Sequence, residues 1–117
     1  MIESIIIQYL SNILGIPVLL EFPKEISKQF VVFEVVDRQR NDFIDAVTIE
    51  FNSYADSKYN AASLDKLVRK HIENLITIPD ISSVEFGGGR SSGDSNDSMA
   101  KHYRYRCYFN IYYYEED

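Results

Sequence analysis

A single cysteine, Cys107, leaves this 117-residue chain with no internal disulfide, so its core must rest on burial alone. There is no tryptophan, and there are only two histidines, His71 and His102. Neither belongs to a His-x-x-Glu-His pattern or a cysteine cluster, which leaves no recognisable metal site. No apolar run approaches the roughly 18 residues of a spanning helix. The start, Met1-Ile2-Glu3-Ser4-Ile5, places an acid where a signal peptide carries base. With the lone cysteine, this leads us to expect synthesis in a reducing cytosol and no membrane partner. Positive charge is also scarce: 12 Lys and Arg stand against 18 Asp and Glu, a net charge of −6. Sequence-independent binding to a phosphate backbone needs clustered base, so nucleic acid is not expected as the primary partner.

What the chain does have is hydrophobic pattern. Hydrophobic residues make up 45%, enough for the core of one domain spanning residues 1–117. Ile2, Ile6, Tyr9, Leu10 and Ile13 fall at helical spacing and predict a first helix over residues 2–14, closed by Gly15 and Pro17. A short extended piece, residues 17–20, and a Pro23-containing loop follow. The run Phe30-Val31-Val32-Phe33-Glu34-Val35-Val36 predicts a strand, residues 37–42 a polar turn, and residues 43–51 a return strand with Val47, Ile49 and Phe51 inward. Asp56 or Ser57 can cap a second helix over residues 58–76. Its predicted core stripe is Ala61, Leu64, Leu67 or Val68, His71 or Ile72, and Leu75. Asp65, Lys66, Arg69, Lys70 and Glu73 form its wet side. After Pro79, residues 81–86 read as a short strand. The order α, β, β, β, α, β, β predicts an α+β fold, two helices packed on a mostly antiparallel sheet of four to five strands.

The last strand, His102 to Tyr114, shows an unusual asymmetry. Period-two alternation places Tyr103, Tyr105, Cys107, Phe109, Ile111 and Tyr113 on one face, a core composition. The other face carries His102, Arg104, Arg106, Tyr108, Asn110, Tyr112 and Tyr114. Tyrosine and arginine with few other charges is the composition of a protein contact surface. The competing reading is that helices cover both faces and only the hydroxyl tips stay wet.

No catalytic constellation emerges. Gly88 and Gly93 have the first spacing of a phosphate loop, but Asp94 stands where lysine is required and no helix follows, so no nucleotide cofactor is expected. Residues 87–98, including Gly87, Gly88, Gly89, Arg90, Gly93 and Asp94, hold no large apolar side chain. They are expected to form a mobile loop between two strands, suited to docking on a partner. Asp37, Asp42 and Asp45 gather around the predicted turn without calcium-loop spacing, and read as a solvated turn or a possible ion site. Cys107 alternates with Phe109 and Ile111 and reads as a small core hydrophobe. No nucleophile, base and oxyanion donor occur together, so an enzyme is not expected.

The order of segments also resembles a known family. A short helix leads through IPVLLEFPKEISKQFVVFEVVDRQRNDFIDAVTIEFNSYADSKYNAASLDKLVRKHIENL into a variable loop and HYRYRCYFNIYYYEE. The marks are Phe33-Glu34-Val35 after a Pro-containing loop, and Asp45, Val47 and Ile49 leading into Tyr54-Ala55-Asp56-Ser57. Ala61-Ala62 and Leu64 then open the helix, and Arg104-Tyr105-Arg106 opens an alternating terminal strand. This is similar to the tail-terminator proteins of long-tailed bacteriophages and prophages, also described as minor capsid or head–tail joining proteins. The resemblance implies a virion protein, made in the host cytoplasm, that forms a six-fold ring at the head-proximal end of the tail tube. The ring ends tube polymerisation and offers a surface to the head. Its implied partners are further copies of itself, the tail-tube protein and a head-completion protein. Arg104, Arg106, Tyr108, Asn110 and Tyr112 are the expected subunit or tube contacts. The alternative is a small nucleic-acid-binding module that stacks bases on the same tyrosines.

Overall fold

The computed structural model describes residues 1–25, 27–41, 44–94 and 102–114. Its elements are α1 (Ile2–Leu14), β1 (Val18–Leu19), β2 (Gln29–Asn41), β3 (Ile44–Ala55), α2 (Lys58–Glu73), a 3₁₀ turn (Asn74–Thr77), β4 (Ile81–Asp94) and β5 (Tyr103–Tyr114). The sheet order is β1-β2-β3-β5-β4. Among the described residues only the β1–β2 pair is parallel. The other pairs are antiparallel. The fold is therefore α+β: two helices on a five-stranded, mixed and mostly antiparallel sheet. Twelve to fourteen residues at about 3.3 Å each account for the 45 Å long axis.

Both helices lie on one side of the sheet. Ile2, Ile6 and Leu10 of α1, with Leu64, Val68 and Ile72 of α2, share one buried cluster with Phe33, Ile49, Phe51, Phe109 and Ile111. Local chemistry explains where the helices stop and start. Gly15 takes the left-handed conformation (φ 66°) and its N–H closes α1 on Ser11. The Ser57 hydroxyl accepts from the Asn60 N–H at 3.1 Å and caps α2. Tyr9 joins the helices by donating to the His71 carbonyl at 2.8 Å.

The strands run longer than the sequence predicts. Residues 37–41, expected as a turn, continue β2, with Arg38 opposite Val47 and Arg40 opposite Asp45. A polar run can extend a strand where its side chains reach solvent or partners. Arg38 binds Glu3 at 3.0 Å, and Arg40 approaches Asp45 at 3.6 Å. Likewise β4 does not end at Phe86. Its backbone continues through Gly87, Gly88, Gly89, Arg90, Gly93 and Asp94, paired with β5. Of the expected loop, residues 87–94 lie in β4, and residues 95–98 lie outside the described residues, as does Asp42.

Several side chains also sit differently from expectation. Ile13, placed in the α1 stripe, is exposed, and so is Leu67, while Val68 and Ile72 take the core positions of α2. Asp65, assigned to the wet side, is buried against Arg69. Tyr103 and Tyr105 are only half-buried, because the helices cover the Cys107–Tyr113 half of β5.

Candidate interaction face

Helices on one side leave the other sheet face with no helix over it among the described residues. Register lines up its rows across the strands. Tyr54 stands opposite Arg104, Asn52 opposite Arg106, Glu50 opposite Tyr108, Thr48 opposite Asn110 and Ala46 opposite Tyr112. The five contact residues expected from sequence, Arg104, Arg106, Tyr108, Asn110 and Tyr112, therefore form one continuous stripe, each half-buried. On β2, Glu34 joins the Glu50 row and Asp37 the Thr48 row; on β4, Glu85 joins the Asn110 row.

The polar groups in the middle of the face are tied to one another. Tyr108 donates to Glu50 Oε2 at 2.9 Å, and Asn52 Nδ2 donates to Glu50 Oε1 at 2.9 Å. Thr48 donates to Asn110 Oδ1 at 2.7 Å. Such pairs fix side-chain rotamers before any partner arrives, which lowers the entropic cost of docking. They also tune Tyr108. Its hydroxyl pKa is raised, first by the hydrogen bond to Glu50, with burial and the carboxylate charge adding and Arg106 and Arg104 opposing. Glu50→Gln removes the anion, so Tyr108 should ionise at a lower pH than in the parent protein. A tyrosinate absorbance titration against a Tyr108→Phe control measures this; an unchanged or higher midpoint would break the assigned pair.

One end of the face is closed by aromatic packing. Phe30 and Tyr54 stack at 4.8 Å, Phe22 meets both rings edge-on at 5.4 Å, and His102 lies 5.6 Å from Phe30. His102 Nε2 also sits 3.0 Å from the Ser27 carbonyl. His102 is thus a buried residue that anchors the loop before β2, rather than a member of the open stripe.

Gly87 and Gly88 border the stripe. β4 carries an irregularity between Phe86 and Gly88, and Gly88 sits at φ 107°, a conformation that glycine accepts at no steric cost. A Cβ on Gly87 would meet the Tyr108 carbonyl at 3.4 Å. For Gly89, Arg90, Gly93 and Asp94 the structure defines only a backbone position in β4.

The two described acids of the predicted turn, Asp37 and Asp45, do not converge. Asp37 lies on the open face, whereas Asp45 lies on the helix side, buried and next to Arg40. Among the described residues, no three His, Cys, Asp or Glu side chains come together in a geometry that would hold a metal ion. Nor is any helix there long and apolar enough to cross a membrane. Cys107 is buried, its thiol pKa pushed up to about 12 by burial and by the neighbouring Asp65 carboxylate, so it is no nucleophile near neutral pH.

Sequence reading missed the acidic side of this face. Glu34 and Glu50 were legible by alternation, but Asp37 reaches the face only through a bulge between Val35 and Asp37, which no residue type announces. Comparison with protein-family models gives no match for this chain, and comparison with curated proteins gives none either.

Proposed function

We propose that this chain is a structural virion assembly protein of the tail-terminator type. In this reading it forms a ring at the head-proximal end of a phage tail tube, stops tube growth and presents the surface to which the head joins. The observation that carries the reading is the helix-free sheet face with its stripe of Arg104, Arg106, Tyr108, Asn110 and Tyr112, prepared for contact by hydrogen bonds of its own. The segment order described above resembles that family and supports the reading. Two sheet edges add to it. β1 pairs only with Val31 and Val32, so β2 from Phe33 onward has no further strand beside it among the described residues, and β4 forms the other edge. A ring needs two different, complementary surfaces on each subunit, and a sheet with unlike edges has them.

A nucleic-acid-binding role fits this face less well. Glu34, Glu50, Asp37 and Glu85 share it with the arginines and would repel a phosphate backbone. The proposal is tested by adding the protein to polymerising tail-tube protein and measuring tube lengths by electron microscopy. Shortened tubes with a ring at one end are expected. Tubes of undiminished length with bare ends would refute the role.

A further inference from the structure

The open face is not flat. A cleft of about 190 Å³ is lined by Asp37, Gln39, Ala46, Thr48, Asn110 and Tyr112. Two local features build it. Ala46 is the small member of the row Gln39–Ala46–Tyr112, so the floor drops between two long side chains. The bulge does the rest. Glu34 faces outward opposite Glu50 and Val35 inward opposite Ile49. Strict alternation would then send position 36 outward and position 37 inward. With Val36 unpaired in the bulge, Asp37 stands opposite Thr48, on the outer face.

The lining is rich in acceptors. Asp37 brings two carboxylate oxygens, Gln39 an amide carbonyl, and Tyr112 a hydroxyl oxygen. Thr48 has already given its proton to Asn110 and keeps its lone pairs. The neighbouring arginines of β2 are engaged on the helix side. Arg38 binds Glu3 and the Tyr113 hydroxyl, and Arg40 approaches Asp45. A cleft of 190 Å³ is smaller than the roughly 300–1,000 Å³ of small-molecule and cofactor sites. It suits one long side chain. Acceptors spread over three strands favour a planar fork of five N–H donors over a point charge.

We infer that the cleft receives an arginine side chain presented by a protein partner. This rests on reading the face as an assembly surface, and it names the chemistry that the partner brings. The guanidinium meets Asp37 and shares its remaining donors with Gln39, Thr48 and Tyr112.

The test uses the isolated, isotope-labelled full chain and N-ethylguanidinium as the probe, followed by amide chemical shifts. Saturable shifts at Asp37, Thr48, Asn110 and Tyr112 are expected. Neutral N-ethylurea and the point charge ethylammonium should each bind at least about tenfold more weakly, since charge and fork geometry both contribute. Asp37→Asn should weaken the guanidinium response by about tenfold or more. Ala46→Leu should abolish it by filling the floor, with the amide spectrum away from the face unchanged. No saturable shift at these positions, or an equal response to either comparator, would overturn the inference. Tube capping plays no part in this measurement. A protein that binds the probe but fails to cap tubes refutes the tail reading alone. One that caps tubes but ignores the probe refutes the cleft alone.

Discussion

Phe51→Ala is expected to lower the unfolding free energy by about 3–5 kcal/mol, the range for emptying a large aromatic site in a well-packed core. Phe51 is fully buried in β3, near the centre of the sheet. Its ring lies 5.6 Å from Phe33 and 6.1 Å from Phe109, and Phe109 in turn meets Phe86 at 5.4 Å. Removing it opens a void between three strands. Rigid strand backbones on both sides limit collapse into that void, which keeps the loss near the top of the range. A domain of this size is stable by only about 5–15 kcal/mol, so the variant should sit close to its unfolding limit. Urea denaturation measures the loss. Thr48→Ala, three residues earlier on the opposite face, should cost about 1 kcal/mol, the worth of one half-exposed hydrogen bond. Equal losses for the two variants would contradict the assignment of one face to the core and the other to solvent.

That assignment is also where the sequence was most legible. Period-two alternation placed Val47, Ile49, Phe51, Cys107, Phe109 and Ile111 inward, and all six are buried. The signal works because β3 and β5 are inner strands of a sheet covered on one side, so burial follows parity over Val47–Phe51 and Cys107–Ile111, away from the aromatic end where Asn52 and Tyr54 are buried as well. Edge strands obey a different rule. The polar residues 37–41 and the glycine–serine run through Asp94 carry the composition of turns, yet both extend strands, held by backbone pairing to the neighbouring strand. Composition reports what a segment can bury, not what it can pair with. The open face was legible only in part. Its tyrosines and arginines follow from alternation in β5, but the cleft depends on the bulge at Val36, and only cross-strand register reveals that. Asp65 failed for a different reason. It stands four residues after Ala61, three before Val68 and seven before Ile72, so helical spacing puts it inside the buried stripe of α2, and its charge rather than its position suggested the wet side.

The buried Asp65 sets the second large effect. Asp65 is 3% exposed, and its Oδ2 lies 2.9 Å from Arg69 Nε, one helical turn on. Its Oδ1 is buried without a hydrogen-bond partner. Burial raises its carboxyl pKa, while the charge of Arg69 and hydrogen bonds with the Cys107 thiol and Arg69 work in the opposite direction. Arg69→Ala removes that opposing charge and leaves the buried carboxylate with the Cys107 thiol alone as a weak partner. Breaking a fully buried pair costs about 3–5 kcal/mol. The Arg69 side chain is 32% exposed, so solvent screening brings the expected loss down to about 2 kcal/mol.

The pH dependence separates this cause from packing. A carboxyl whose folded pKa lies above its unfolded value binds more protons in the native state across that window, so native stability falls as pH rises through it. In Arg69→Ala the folded pKa climbs further, and the window widens upward from the unfolded value near about 3.9. The loss relative to the parent should therefore be greatest near about pH 7 and shrink toward about pH 4, as Asp65 becomes neutral. A residue of the loss should persist at every pH, because Arg69 also lies over the Phe86 ring at 5.0 Å. That contact contributes about 0.5–1 kcal/mol at a partly exposed site. The double variant Asp65→Asn, Arg69→Ala should keep this residue and lose the pH-dependent part. Denaturation of the parent and both variants across the pH range decides the matter. A loss of constant size from neutral to acid pH would mean that Arg69 acts through Phe86 alone, with no buried charge for it to neutralise.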